Sequence, residues 1–436
     1  MLTGLILNTV YLLLLLAGLP WLLWSAWRKG KYREGYAEKL LGRVPTRTSD
    51  APCVWLHAVS VGEVNLLSPL LHAIARRRPD AECVISTTTH TGMNLARRKY
   101  PEHTVFYCPL DFTWAAAEAM RRVRPSVLAL AELELWPNLV AAAHRHGARV
   151  AVVNGRLSEP SFRGYRRIRF LLRRVFERID LVAVQDGTYA ERFLAVGARP
   201  ETVHVTGSMK YDGARTGRDN PATRRLAELA GFAPDDVVFL AGSTQEGEEE
   251  AALAAFTELA GEYPRLRLVL VPRHPERFDA VARLLDQSGV AWVRRSRLPA
   301  ASGDPAPAAR VLLVDTVGEL GAWWGTAHLA FVGGSLGSRG GQNMIEPAAY
   351  GAAVSFGPNT RNFRDIVAAL LTRDAALVVA DRAELTAFAR RCLSEPDWAA
   401  ELGRRAQRHV REQLGATDRT VALLEPLLPG ASPDCG

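Results

Sequence analysis

Cysteine is scarce in this chain: five in 436 residues (Cys53, Cys83, Cys108, Cys392 and Cys435), with no pair at Cys-x-x-Cys spacing. That argues against a disulfide framework or a thiolate zinc site and describes the reduced thiols of a cytosolic fold. No solenoid-type repeat is visible. Charge is missing altogether from Leu5 to Trp27, a run centred on Leu12–Leu16. Roughly 20 apolar residues are enough to cross a bilayer as a helix. No basic side chain precedes the run and no small-residue cleavage site comes after it, so it reads as a retained anchor, not a cleaved secretory signal.

The residues flanking the run on its C-terminal side set its orientation. Arg28, Lys29, Lys31 and Arg33 cluster there, and Trp21, Trp24 and Trp27 suit an interfacial aromatic belt. A single-pass membrane anchor with the C-terminal bulk of the chain cytoplasmic is the expectation, with Pro20 as a kink and Asn8 and Thr9 weakening one end. The remainder, with 48% hydrophobic and 23% charged residues overall, is globular and not disordered. A net charge of +8 favours an anionic partner: nucleic acid, an acidic membrane face or a phosphorylated substrate. Membrane tethering argues against nucleic acid.

Beyond the anchor, short apolar runs alternate with polar loops and helical patterns. In the first half these runs are Val54–Leu56, Cys83–Ser86, Ser126–Leu130, Arg149–Val153, Leu181–Val184 and Val203–Val205. In the second half they are Val237–Ala241, Leu268–Val271, Val311–Val314, Leu329–Val332, Ala353–Phe356 and Ala376–Val379. Such alternation predicts parallel sheets covered by helices. The expected architecture is α/β: two Rossmann-like, doubly wound domains with an interdomain cleft. The expected boundaries are an anchor over 1–28, a first domain over 29–210, a linker over 211–235 and a second domain with C-terminal helices over 236–436. The Pro- and Ala-rich stretch 298–309 reads as a loop.

The loop after the first strand, His57-Ala58-Val59-Ser60-Val61-Gly62-Glu63, carries one carboxylate at a helix start. Glu63 is either a first-turn acid complementing the helix dipole or a catalytic base at the sheet edge where α/β proteins bind ligands. In the second half, Gly242-Ser243-Thr244 closes a strand before an acid-rich helix (Glu246, Glu248, Glu249, Glu250), suited either to a phosphate or to a simple cap. Arg273 and His274 end another strand, where the cation suits a phosphate or serves only a turn. Gly333-Gly334-Ser335, then Gly340-Gly341-Gln342-Asn343 and Glu346, put two glycine turns before a helix whose acid can accept from ribose hydroxyls. Gly318 and Glu319 form a further strand-end loop. Between Ser161 and Asp180, Arg163, Arg166, Arg167, Arg173 and Arg174 interleave with aromatics, either as a membrane-surface helix or as a solvated face over an apolar stripe.

Taken together, the motifs resemble the 3-deoxy-D-manno-octulosonic acid (Kdo) transferases of lipopolysaccharide assembly, glycosyltransferase family 30. The segments that carry the resemblance are His57–Glu63, Thr87–Gly92, Glu132–Asn138, Asn154–Arg156, Thr206–Asp212, Pro272–Arg277 and Gly333–Asn362. The first motif departs slightly from the family pattern, with Val59 between Ala58 and Ser60. The resemblance implies a GT-B fold whose first domain takes a lipid A precursor and whose second takes CMP-Kdo, with inversion at the transferred carbon and no metal or other cofactor. It assigns Glu63 as the base. Glu132 or Glu134 becomes a second acid on the acceptor side, with Ser60 and Gly62 beside them. On the donor side it places Lys210, Ser243, Thr244, Arg273, His274, Gly318, Glu319, Gly334, Ser335, Gly341, Asn343 and Glu346. A membrane glycosyltransferase using another nucleotide sugar, and a non-catalytic nucleotide-binding protein, are the alternatives.

Overall fold

The computed structural model describes residues 2–29, 34–298 and 309–430. Lys31, Arg33, most of the loop over 298–309 and Cys435 lie outside the described residues. The chain divides into two units, one of residues 1–212 with 413–436 and one of residues 213–412.

The first unit opens with helix α1 (Leu2–Lys29) and the short α2 (Tyr36–Leu41). Seven strands build its sheet: β1 (Cys53–His57), β2 (Glu82–Thr87), β3 (Thr104–Tyr107), β4 (Val127–Ala131), β5 (Arg149–Gly155), β6 (Leu181–Val184) and β7 (Val203–Val205). They pair in the order β3-β2-β1-β4-β5-β6-β7, and every pairing is parallel. The crossovers are α3 (Val61–Arg77), α4 (His90–Lys99), α5 (Thr113–Val123), α6 (Pro137–Arg145), the pair α7 (Glu159–Arg167) and α8 (Arg169–Phe176), and α9 (Gly187–Val196). All five residues of β1 and of β4 are buried. That explains their unbroken apolar runs, since a parallel strand covered on both faces has no solvent side for polar alternation.

The second unit repeats the plan. Helix α10 (Pro221–Leu229) precedes β8 (Val237–Thr244), α11 (Glu248–Leu259), β9 (Leu266–Pro272), α12 (Phe278–Ser288), β10 (Trp292–Arg294) and β11 (Val311–Leu313). Then come α13 (Leu320–Trp323), β12 (Leu329–Val332), α14 (Ile345–Ala349), β13 (Ala353–Phe356), α15 (Arg364–Thr372), β14 (Leu377–Val378), α16 (Arg382–Ser394) and α17 (Pro396–Gln413). The sheet order is β10-β11-β9-β8-β12-β13-β14. Chain order reverses between β1 and β4 in the first sheet and between β8 and β12 in the second, the positions where such sheets present ligand sites.

Two boundaries differ from the sequence expectation. Residues 211–235 are not a bare connection, because α10 buries Leu226 and Leu229 within the second unit. The C-terminal segment belongs to the first unit: α18 (Ala416–Leu424) packs on α3. Asp212 fixes its start, accepting from Gly415 N at 2.7 Å and Thr417 N at 2.6 Å. The basic stretch expected as one helix is two, broken at Ile168.

Candidate active site

Glu63 is a first-turn acid of α3, the first of the two readings offered for it. Ser60 caps α3, its Oγ accepting from Glu63 N at 3.3 Å and donating to Glu63 Oε1 at 2.6 Å. The other carboxylate oxygen accepts from Val59 N at 2.9 Å. This is a capping box whose acid reaches one residue past the cap. Burial, the dominant influence, nonetheless pushes the Glu63 carboxyl above the usual range. A helix-start acid therefore becomes a fixed and more basic carboxylate. Gly62 beside it is exposed.

The Thr87–Gly92 motif supports that loop from behind. Thr87 and Thr89 hydroxyls both donate to Val59 O, at 3.1 and 3.0 Å. A Cβ at Gly92 would lie 2.6 Å from Thr87 Oγ1 and 2.7 Å from Thr89 Oγ1, so only glycine lets α4 press this close. His57 is fully buried against Ser86 Oγ at 2.9 Å. Burial pushes its pKa down to about 4, which makes it a neutral structural residue.

The two candidates for a second acid, Glu132 and Glu134, have different partners. Glu132, at φ 56°, comes directly after β4 and pairs with Lys210 Nζ at 3.1 Å and Arg156 at 3.9 Å. Asn154 sets this arrangement, its Oδ1 accepting from Met209 N at 3.0 Å. Lys210 sits in the first unit, as the expected domain bounds have it, and is the ion-pair partner of Glu132. Glu134 has no ion pair among the described residues; burial, then the Glu63 charge, pushes it up to about 7. Glu132 raises Glu63 in the same way. The three carboxylates thus act on one another, with Glu132 ion-paired to Lys210 and Glu134 holding a proton near neutrality.

The Glu134 shift has a measurable sign. Between its ordinary value of 4.5 and its folded value of about 7, the folded state binds more protons than the unfolded state. Stability therefore falls as pH rises through that window. Glu134→Gln is expected to flatten the slope and to unfold at a higher temperature than the parent above pH ~7, with the gap closing toward pH ~4.5. Thermal midpoints across that range would show it, and parallel curves for the two proteins would refute the assignment.

The second unit contains a cavity of about 520 Å³ lined by Arg215, Arg225, Arg295, Glu319, Glu346 and Tyr350, among others. Gly318, at φ 95°, also lines it. Glu319 accepts from Arg295 at 3.0 and 2.9 Å and from Thr316 Oγ1 at 2.7 Å. Asn343 holds Glu346, donating from Nδ2 at 3.1 Å, and burial raises the Glu346 pKa. Gly318, Glu319 and Glu346, separate in sequence, thus meet at one cavity. The arginines around it escape sequence reasoning because each reads as an ordinary surface cation.

The glycine turn after β12 is engaged inside the second unit. Its backbone donors hold an internal carboxylate: Gly334 N, Ser335 N and Leu336 N donate to Glu248 at 2.7, 2.9 and 2.9 Å. Gln245 N adds a fourth bond at 2.8 Å. The backbone nest of this turn is thus filled by the chain itself, at the switch point of the second sheet. Ser335 Oγ is likewise engaged, donating to Val332 O and accepting from Gly357 N. Gly341 N donates to Gly334 O, so this donor is not free either. Thr244 is fully buried and donates to Glu249, which Arg277 neutralises at 2.9 Å. Ser243, at φ 56°, lies within the end of β8, and α11 starts only at Glu248. Arg273 is exposed with no acid partner among the described residues, and His274 is half-buried beside it.

On the first unit, Arg166, Arg167 and Arg174 are exposed, while Arg163 pairs with Glu159 at 3.0 Å and Arg173 with Glu177 at 3.4 Å.

A family model described as 3-deoxy-D-manno-octulosonic-acid transferase (kdotransferase) matches residues 34–213. A 3-deoxy-D-manno-octulosonic acid transferase of Bordetella pertussis is 35% identical over 432 residues, 95% of this chain and 98% of that protein. One from Haemophilus influenzae is 32% identical over 378 residues, 86% of this chain and 87% of the other. Among solved structures, a UDP-GlcNAc 2-epimerase from Neisseria meningitidis aligns with TM-score 0.53 at 12% identity, covering 85% of this chain and 99% of that one. That likeness reflects the GT-B fold of two Rossmann-like units. The chain belongs to the Kdo transferase family and is a glycosyltransferase.

Proposed function

We propose that the protein moves Kdo from CMP-Kdo to a hydroxyl of a lipid A precursor at the cytoplasmic face of the inner membrane, with inversion and with Glu63 as general base. The observation that carries this reading is the Glu63 carboxylate, fixed by Ser60 and Val59 and made more basic by burial. An acceptor hydroxyl is a poor nucleophile, so a positioned carboxylate assists by taking its proton as the new bond forms. The acceptor oxygen bonds to the anomeric carbon while the bond from that carbon to the CMP phosphate breaks. CMP leaves with the bonding electrons, through a carbon of oxocarbenium character.

The second unit supplies the donor site in this reading. Glu346 accepts from ribose hydroxyls inside the cavity, and Arg215, Arg225 and Arg295 give it the positive potential a nucleotide phosphate needs. Arg273 and His274 stand at the end of β9 as further phosphate contacts. On the first unit, the acceptor lies against Glu63 with Glu132 and Glu134 around its sugar hydroxyls. No metal is assigned to the transfer step.

Incubating the purified full-length chain with CMP-Kdo and a tetraacylated lipid A precursor in detergent, with mass spectrometry of the recovered lipid, tests the reading. One or more Kdo mass increments are expected. An unchanged lipid under these conditions, with turnover of a UDP-sugar instead, would replace it with the other-donor alternative.

A further inference from the structure

The fold restricts how α1 can meet a membrane. Its less exposed positions, Gly4, Leu7, Asn8, Tyr11, Leu15 and Gly18, recur every three or four residues and form one stripe. Along that stripe the helix is docked on the first unit. Asn8 makes a reciprocal pair with Thr113: its Nδ2 donates to Thr113 Oγ1 at 2.7 Å, and its Oδ1 accepts from Thr113 N at 3.1 Å. Tyr11 OH donates to Asp111 Oδ2 at 3.1 Å, and its ring meets Phe112 edge-on at 6.1 Å. Thr9, the remaining polar group here, donates to Leu5 O within the helix. Asn8, which weakens the run as a span, is thus satisfied by the folded unit.

The chain is then caught again beyond the helix. Glu38 accepts from Tyr107 N at 2.7 Å, and Lys39 lies 3.8 Å above the Tyr107 ring. The two attachment points, Tyr107 and Thr113, are six residues apart, so even fully extended chain separates them by no more than ~21 Å. A helix crossing the bilayer between Asn8 and Glu38 would have to hold these points about 30 Å apart on opposite sides of the hydrocarbon. Docking and crossing are therefore incompatible.

We propose that α1 lies along the membrane surface as a fixed part of the first unit, with both of its ends on the cytoplasmic side. This rests on the membrane attachment proposed for the enzyme and replaces the single-pass crossing expected from sequence. The occupant of its outer face is a phospholipid bilayer of anionic surface. Leu5, Leu13, Leu14 and Leu16 are each more than 60% exposed there. Trp114 on α5 and Tyr36 on α2 add amphipathic rings suited to the headgroup level. Phe170, 71% exposed on α8 among Arg169, Arg173 and Arg174, gives a second apolar contact ringed by cations.

The docked half of α1 also bears on the acceptor loop. Asp111, which Tyr11 contacts, accepts from Asn138 N and Leu139 N at 3.1 and 2.8 Å and so fixes the start of α6. The carboxylate-bearing loop Glu132–Trp136 runs directly into that helix. The bilayer surface is thereby brought to the same edge of the sheet as Glu63, where a lipid acceptor can present its sugar without leaving the membrane.

The test uses the full-length chain with a protease-sensitive epitope ahead of Met1, expressed in spheroplasts, and the same chain carrying Asn8→Cys and Thr113→Cys. The proposal expects the epitope to survive external protease yet be cut in inverted membranes, and the two cysteines to cross-link in the membrane fraction. An epitope cut from outside means that α1 crosses, which overturns the proposal while leaving membrane attachment intact. A protected epitope without cross-linking overturns the docking. Recovery of the parent chain in the soluble fraction would overturn the membrane reading itself.

Discussion

Glu63→Gln is expected to lower the rate of Kdo transfer by about 10²–10⁴-fold, the range that a positioned general base supplies, while nucleotide affinity stays at the parent value. The amide keeps the size of the side chain, and its oxygen can still accept from Val59 N or Ser60 Oγ, so the loop stays folded. What it loses is the ability to take a proton. Glu63→Ala should be equally inactive but also less stable by about 0.5–1.5 kcal/mol, since it removes the acceptor of the Val59 N and Ser60 Oγ bonds. Comparing the two separates chemistry from folding. Single-turnover transfer with saturating CMP-Kdo, alongside calorimetric titration with CMP, provides both readouts. A Glu63→Gln enzyme that keeps more than about a tenth of the parent rate is not missing its base, and a variant that loses CMP affinity points to a role other than proton transfer.

Strands buried on both faces are legible, because β1, β4, β8 and β12 leave uninterrupted apolar runs in the sequence, and the short apolar runs of the edge strands β7 and β14 also stand out. Two edge strands left no such trace. β3 has only Phe106 and Tyr107 buried, and β10 has no fully buried residue, so neither produces a run long enough to count. Helix α10 was hidden by the polar residues around Leu226 and Leu229, whose spacing of three is too brief to stand out. Among the candidate residues, Glu63 on the first unit and Glu319 and Glu346 on the second stand out in the sequence because each lies in a loop or helix start that follows a strand. Their companions do not. Arg215 and Arg225 reach the cavity by tertiary folding, and no local pattern distinguishes them from other cations. Glu132 and Glu134 could not be separated by sequence, since the difference between them lies in distant partners: Lys210 and Arg156 reach one and leave the other to its burial. The docking of α1 was illegible for the same reason, as Thr113 and Asp111 lie about a hundred residues from the helix they hold.

Glu248→Ala is expected to be the most destabilising substitution in the second unit. The side chain is buried, and its two oxygens accept from Gly334, Ser335, Leu336 and Gln245 backbone N–H groups. Four peptide dipoles converge on one carboxylate, which stabilises it in a place where water cannot. Removing it strands those donors, each at a cost of about 1–3 kcal/mol. Partial repacking and water entry keep the sum below simple addition, so a loss of roughly 4–5 kcal/mol is the working figure, at the upper end for single substitutions. For a unit of this size that lowers the unfolding midpoint by about 10–15 °C. Glu248→Gln should fall between the two, because its amide oxygen still accepts while its NH₂ group opposes backbone donors that previously faced an oxygen. If Glu248 were an ordinary helix-start acid, both variants would melt within about 2 °C of the parent, as expected for a dipole contribution of ~0.3–1 kcal/mol. Where Glu248→Ala remains folded at low temperature, the Gly334–Leu336 turn has lost its template, and CMP affinity is expected to drop with it although Glu248 itself is buried beneath the turn. Glu248→Gln, with the turn partly held, should recover part of that affinity in the same order as its stability. A variant that binds CMP as the parent does, yet melts early, would confine Glu248 to folding alone.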